Sequence, residues 1–249
     1  MARPRKTQRP RPFTAVERKW HNCSLAEMFR MLTYKRVRTK VTDRKFRLFA
    51  SACCRCCWDL LTDERSRTAI EVAEKYADGQ VLAADLLKAH LGAHTAVWGT
   101  RDGTRNTMQQ RRAAIAVSHL TLLRETPYYE PGALRHFTFD NGPIIATLTK
   151  HATWKQIGWQ EDSKLQLLLL RDIFGNPFQR MKIDPGWQTS TVVSLAQGIY
   201  AEGAFYRLAI LGDALEDAGC TKIDILSHCR NGGEHVRGCW LVDLLLDKE

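Results

Sequence analysis

Leu165 to Phe178 reads LQLLLLRDIFGNPF, a leucine run closed by glycine and proline. Ser163, placed to accept a free backbone N–H, predicts the start of a buried helix carrying Leu165, Leu167 to Leu170 and Ile173. Gly175 can adopt the left-handed conformation beyond a helix end and Pro177 cannot continue a helix, so the segment stops there. The same logic extends to Leu246. Asp184-Pro185-Gly186 predicts a turn, and Thr189 or Ser190 caps a helix whose apolar positions Val192, Val193, Leu195, Ala196, Ile199 and Tyr200 recur at helical spacing. Phe205, Leu208, Ala209, Leu211, Gly212 and Leu215 form another such stripe, ended by Ala218-Gly219. Ile223 to Leu226 predict a short helix, Asn231-Gly232-Gly233 a loop, and Val236 to Leu246 a last helix carrying Trp240.

Upstream, Ser24 and Glu27 have capping-box spacing ahead of a short helix reaching about Tyr34. Phe46, Phe49, Ala50, Cys53, Cys57, Leu60 and Leu61 share one face of a helix that begins near Asp43. Thr62 is the expected cap of a second helix with Ala69, Val72, Ala73 and Tyr76, stopped at Asp78-Gly79, so the two make a helical hairpin. Val81 to Trp98 and Gln109 to Leu123 predict further helices around a polar loop, Gly99 to Asn106. Thr126 to Pro143 has no helical period. Its aromatics Tyr128, Tyr129, Phe137 and Phe139 either pack down as a lid or form a partner surface, and His136 to Asp140 alternates like a short strand. Pro143 suits the first turn of a helix running to about Trp154.

The blocks LLRDIFGNPF (Leu169 to Phe178), ADGQVLAADLL (Ala77 to Leu87), GDALEDAGC (Gly212 to Cys220), ILSHCR (Ile225 to Arg230) and HVRGCWLVDLLLDKE (His235 to Glu249) resemble a paralogous family of planctomycete bacteria. DRKFRLFASACCR (Asp43 to Arg55) and LLTDERSRTAIEVAEKYADG (Leu60 to Gly79) resemble its N-terminal half. The resemblance implies a bacterial context and supplies no activity. His90 to Gln160 departs from it.

The 249 residues and 44% hydrophobic content suffice for a packed core. The charge is uneven. Met1 to Lys40 holds twelve Lys/Arg against two acids, whereas the remaining 209 residues hold 25 of each sign, so the net +10 resides in the N-terminal forty-residue segment. Its first twelve residues, MARPRKTQRPRP, combine cations with proline and almost nothing to bury, which predicts an extended or disordered segment. Arg3, Arg5, Lys6, Arg9 and Arg11, with Lys35, Arg36 and Arg38 further on, are candidate phosphate contacts for nucleic acid; the alternative is a solubilising tail. There is no apolar run of membrane-spanning length and no secretory pattern, so the expectation is a cytoplasmic protein without membrane contact.

In Cys53-Cys54-Arg55-Cys56-Cys57 both Cys53/Cys56 and Cys54/Cys57 satisfy the Cys-x₂-Cys spacing of metal sites, and a second ligand pair could come from His228, Cys229, His235 or Cys239. Against that, these cysteines sit inside a patterned helix, where cysteine is a small hydrophobe. Cys229 beside His228, or Cys239 near His235, is the spacing a thiolate nucleophile would use, but no nucleophile elbow or phosphate loop accompanies it. Asp172-Ile173-Phe174-Gly175 resembles the kinase metal-binding tripeptide but carries an inserted isoleucine and lacks the companion motifs. His228, His235 and Arg237 form a candidate polar site in which His235 and Arg237 enter the first turn of the last helix; the alternative is internal pairing with Glu216, Asp217 or Asp224.

The sequence therefore predicts an all-α multi-helix protein. Its parts are an arm (1–19), an N-terminal helical region (20–98), a variable middle (99–162) and a C-terminal helical module (163–249). The expected role is non-enzymatic interaction with a protein partner and with no cofactor. Nucleic-acid binding through the arm is the alternative, and a metal-binding or Cys/His-based enzyme is the next.

Overall fold

The computed structural model describes residues 12–34, 37, 41–99, 106–122, 137–179, 181–231 and 233–248. The arm cations Arg3, Arg5, Lys6, Arg9 and Arg11 lie outside the described residues, as do Lys35, Arg36, Arg38, Tyr128 and Tyr129. The fold is all-α, and no strand occurs among the described residues. The helices are α1 (Ala15–Asn22), α2 (Leu25–Leu32), α3 (Asp43–Arg55), α4 (Glu64–Ala77), α5 (Ala83–Ala96), α6 (Met108–Leu120), α7 (Phe137–Ile157), α8 (Trp159–Phe174), α9 (Ser190–Glu202), α10 (Leu208–Asp217), α11 (Ile223–Arg230) and α12 (Trp240–Leu245).

The chain forms two compact units. One comprises Ser24–Leu170. Its centre is α3, packed on α4, α6 and α7, with Phe46 and Phe49 fully buried and Phe29 of α2 set against both rings. Arg55 grips Glu74 of α4 through two bonds of 2.6 and 2.7 Å, and Arg44 holds Asp78 at 3.0 Å. Arg47, 4% exposed, donates to the Leu120 carbonyl at 2.6 Å, so its charge meets a partner inside the core.

The other unit joins Met1–Cys23 to Arg171–Glu249. Its core gathers Val192, Ala196, Ile199 and Tyr200 of α9, Leu208, Leu211 and Leu215 of α10, Ile225 and Cys229 of α11, and Leu241, Val242 and Leu245 of α12. α10 and α11 approach so closely at Gly212 that a Cβ there would stand 2.7 Å from the Cβ of Cys229. α1 is capped by a reciprocal Thr14–Glu17 box, and Asn176 donates to the Glu17 carboxylate at 3.0 Å.

Several local expectations change. α8 begins at Trp159, so Ser163 lies inside the helix instead of capping it. Asp63 rather than Thr62 caps α4, its carboxylate accepting Arg65 N–H, as a charged acceptor at a helix N-terminus should. α3 ends at Arg55, and Leu60 belongs to a separate short 3₁₀ turn. Cys54 is as deeply buried as Cys53 and Cys57, leaving only Cys56 of the four partly open. The His136 to Asp140 alternation makes no strand: α7 starts at Phe137 and contains Pro143. The last helix is shorter than its apolar pattern suggested, because α12 spans only Trp240–Leu245 and the residues preceding it are irregular.

Candidate metal centre

Four side chains from three places in the second unit converge. Asp172 comes from the last turn of α8, His228 from α11, and His235 and Cys239 from the irregular segment ahead of α12. Their ligand-type atoms all lie within 4.8 Å of one another. The loop is shaped for this. Gly238 takes φ +94°, a conformation costly for residues with a Cβ, and Cys239 N–H then bonds Val236 C=O at 2.9 Å, turning the next residues into α12.

Asp172 is the hub. An acid in a last helical turn faces the negative end of the helix dipole, and the compensation is local. Its carboxylate accepts His235 Nδ1–H at 2.6 Å and Val236 N–H at 2.9 Å, with His228 Nε2 at 3.5 Å. His228 Nε2 is also 3.1 Å from Cys239 Sγ, and the two imidazoles meet edge-on with centroids 4.7 Å apart. Trp240 Nε1–H donates to His228 Nδ1 at 3.2 Å.

Burial sets the protonation states. His228 is pushed down to about 4, mainly by loss of solvation and against the pull of Asp172, so it is neutral at physiological pH. The Cys239 thiol, fully buried, is raised well above its usual value by the same desolvation and by the neighbouring carboxylate. Without an added cation this is a neutral thiol beside a neutral imidazole. That state opposes nucleophilic catalysis, which needs a thiolate and a route for substrate.

The donor set suits a transition metal. One thiolate, two imidazoles and one carboxylate are the ligands of a tetrahedral zinc-type ion, which with bonds of about 2.0–2.3 Å spaces its ligand atoms roughly 3.3–3.8 Å apart. His228 Nε2 stands 3.1 Å from Cys239 Sγ and 3.5 Å from Asp172 Oδ1, close to that spacing, and all four ligand atoms fall within 4.8 Å. His235 Nε2 adds an independent sign: it is buried and has no hydrogen-bond partner among the described residues, in a side chain only 10% exposed. Buried nitrogen is rarely left unsatisfied.

Of the sequence-nominated residues, His228, His235 and Cys239 come together. Arg237 turns away; its guanidinium donates to the Tyr200 carbonyl at 3.1 Å and lies 4.6 Å over the Tyr200 ring. Cys229 is buried against Gly212 and is not one of the four. Cys53 and Cys56 belong to the other unit and to no such group among the described residues. Sequence reading missed Asp172 as a partner of the histidines. The available signal was an acid at a helix C-terminus, where a cation is favoured.

Fold and site together define an all-α protein with a Cys/His/His/Asp cluster in one of its two units. Comparison with protein-family models, curated proteins and solved structures finds no match. Among the described residues no helix is long and apolar enough to cross a membrane.

Proposed function

We propose that the protein is a non-enzymatic interaction module whose C-terminal half is fastened by a zinc-type ion held by Asp172, His228, His235 and Cys239. The observation that carries this reading is the convergence of four ligand-type side chains from α8, α11 and the loop before α12 within 4.8 Å. Four protein ligands leave no open coordination position for a substrate, which is the arrangement of structural sites and not of catalytic ones. The ion would join α8, α11 and an irregular loop that has few backbone bonds of its own, and its binding energy would add to folding.

Elemental analysis of protein purified without chelator should find about one zinc per chain, and cobalt substitution should give the visible absorption of a tetrahedral ion with a thiolate ligand. Protein that holds no metal and binds neither ion leaves the cluster a hydrogen-bonded network.

A second reading concerns the N-terminal arm. Its support is charge: a net +10 within the first forty residues against none over the rest, suited to phosphate backbones without sequence preference. A gel shift with and without residues 1–12 tests it.

A further inference from the structure

Trp240 touches both the proposed metal centre and the turn that anchors the N-terminal helix. Its indole N–H donates to His228 Nδ1 at 3.2 Å. The same ring lies over Gly175, where φ is +58° and a Cβ would stand 2.9 Å from the indole Cγ. Gly175 in turn accepts the indole N–H of Trp20 through its carbonyl at 2.9 Å. Trp20 is fully buried in α1, and the adjacent residues of the turn hold that helix too, Asn176 through Glu17 at 3.0 Å and Arg171 through the His21 carbonyl at 2.8 Å. A continuous line of contacts therefore runs from His228 through Trp240 and Gly175 to α1, the helix that follows the cationic arm.

An indole N–H can only donate. His228 Nδ1 must then be bare, and the neutral ring carries its proton on Nε2, between Cys239 Sγ at 3.1 Å and Asp172 Oδ1 at 3.5 Å. A metal at Nε2 needs the lone pair there. The neutral ligand imidazole then bears its proton on Nδ1, aimed at the indole N–H, and two donors 3.2 Å apart repel. The Nε2 proton leaves to solvent as the ion binds and Nδ1 takes one up, so no net charge change falls on the ring. The metal and the Trp240 hydrogen bond exclude each other.

We infer that Trp240 is a latch released by metal: loading the centre expels the indole from His228, loosens its packing on Gly175 and frees α1, so that metal occupancy governs how firmly the base of the basic arm is held. This rests on the metal reading above. The expected size is that of one net hydrogen bond, a factor of roughly two to ten in binding.

The test uses the full chain, zinc ion alone, and hydrogen exchange followed by mass spectrometry. Zinc should speed amide exchange in Ala15–Asn22 several-fold in the wild-type protein. W240F keeps an aromatic ring over Gly175 but has no N–H to compete, and should bind zinc about two- to tenfold more tightly. Zinc binding that leaves α1 exchange unchanged or slower, or W240F binding equally or more weakly, reduces Trp240 to packing and overturns the latch while the metal centre stands. A wild-type protein that binds no zinc overturns both. If W240F does not fold, the wild-type exchange result decides by itself.

Discussion

His235 donates its Nδ1–H to Asp172 Oδ1 at 2.6 Å, and the next backbone N–H, that of Val236, reaches the other oxygen at 2.9 Å, so one carboxylate clamps two consecutive residues of the loop. The carboxylate is 4% exposed, and removing its charge leaves donors buried without an equal acceptor. Asp172→Asn should cost on the order of 2–3 kcal/mol in the metal-free protein and weaken zinc binding at least tenfold. Denaturant titration of metal-free protein checks the first figure, and competition with a chromogenic chelator the second. Wild-type values in both would remove Asp172 from the centre.

Gly175 and Gly203 separate two costs of adding a methyl group. Both have left-handed backbones, φ +58° and +66°, but Gly203 has open space around it whereas Gly175 faces the Trp240 ring at 2.9 Å. Gly203→Ala should cost about 1 kcal/mol, the backbone term alone. Gly175→Ala should add a further 1–3 kcal/mol for overpacking against the partly buried Trp240 ring. Equal losses in thermal or urea unfolding would show that Trp240 yields freely.

Acid should destabilise the protein through His228. In the unfolded chain this imidazole takes a proton near pH 6.5, but in the fold not until about 4. Between those values the unfolded state binds the extra proton, so stability falls as pH drops from 6.5 toward 4 and is fully restored above 6.5. The contribution is at most about 1.4 kcal/mol per pH unit. Burial lowers His90, His119 and His21 as well, and these act in the same direction. The share of His228 is therefore the difference between wild type and His228→Asn in chelator, measured as unfolding free energy at pH 7 and pH 5. Parallel pH profiles for the two proteins would contradict the assignment.

The arm has a computable signature. Contact with duplex through its five cations, Arg3, Arg5, Lys6, Arg9 and Arg11, gives a log–log salt slope near −4.5, so a fourfold rise in salt weakens binding several hundredfold. Deleting residues 1–12 should abolish most of that slope and leave the far-ultraviolet helical spectrum unchanged. Equal retention of DNA by both forms in a gel shift would clear the arm of this role.

The sequence by itself determined the all-α class and the place of most helices. Stripes such as Val192, Ala196 and Ile199, and stops such as Gly79 and Gly175, are local physics, written in spacing and in the few residues that tolerate a left-handed backbone. It also showed His228, His235 and Cys239 as unusual polar or thiol residues within an apolar module. Tertiary structure alone decided that they meet, and that they meet at Asp172, because their common point depends on how the last turn of α8, α11 and a loop with no period of its own come together within one unit. The apolar run after His235 resembled one helix, yet Gly238 and the clamp of Asp172 on Val236 hold its first residues out of helical geometry. The pairing of Trp20 with Gly175 across 155 residues was equally illegible, since a buried indole needs some acceptor but no local rule names a carbonyl so far along the chain.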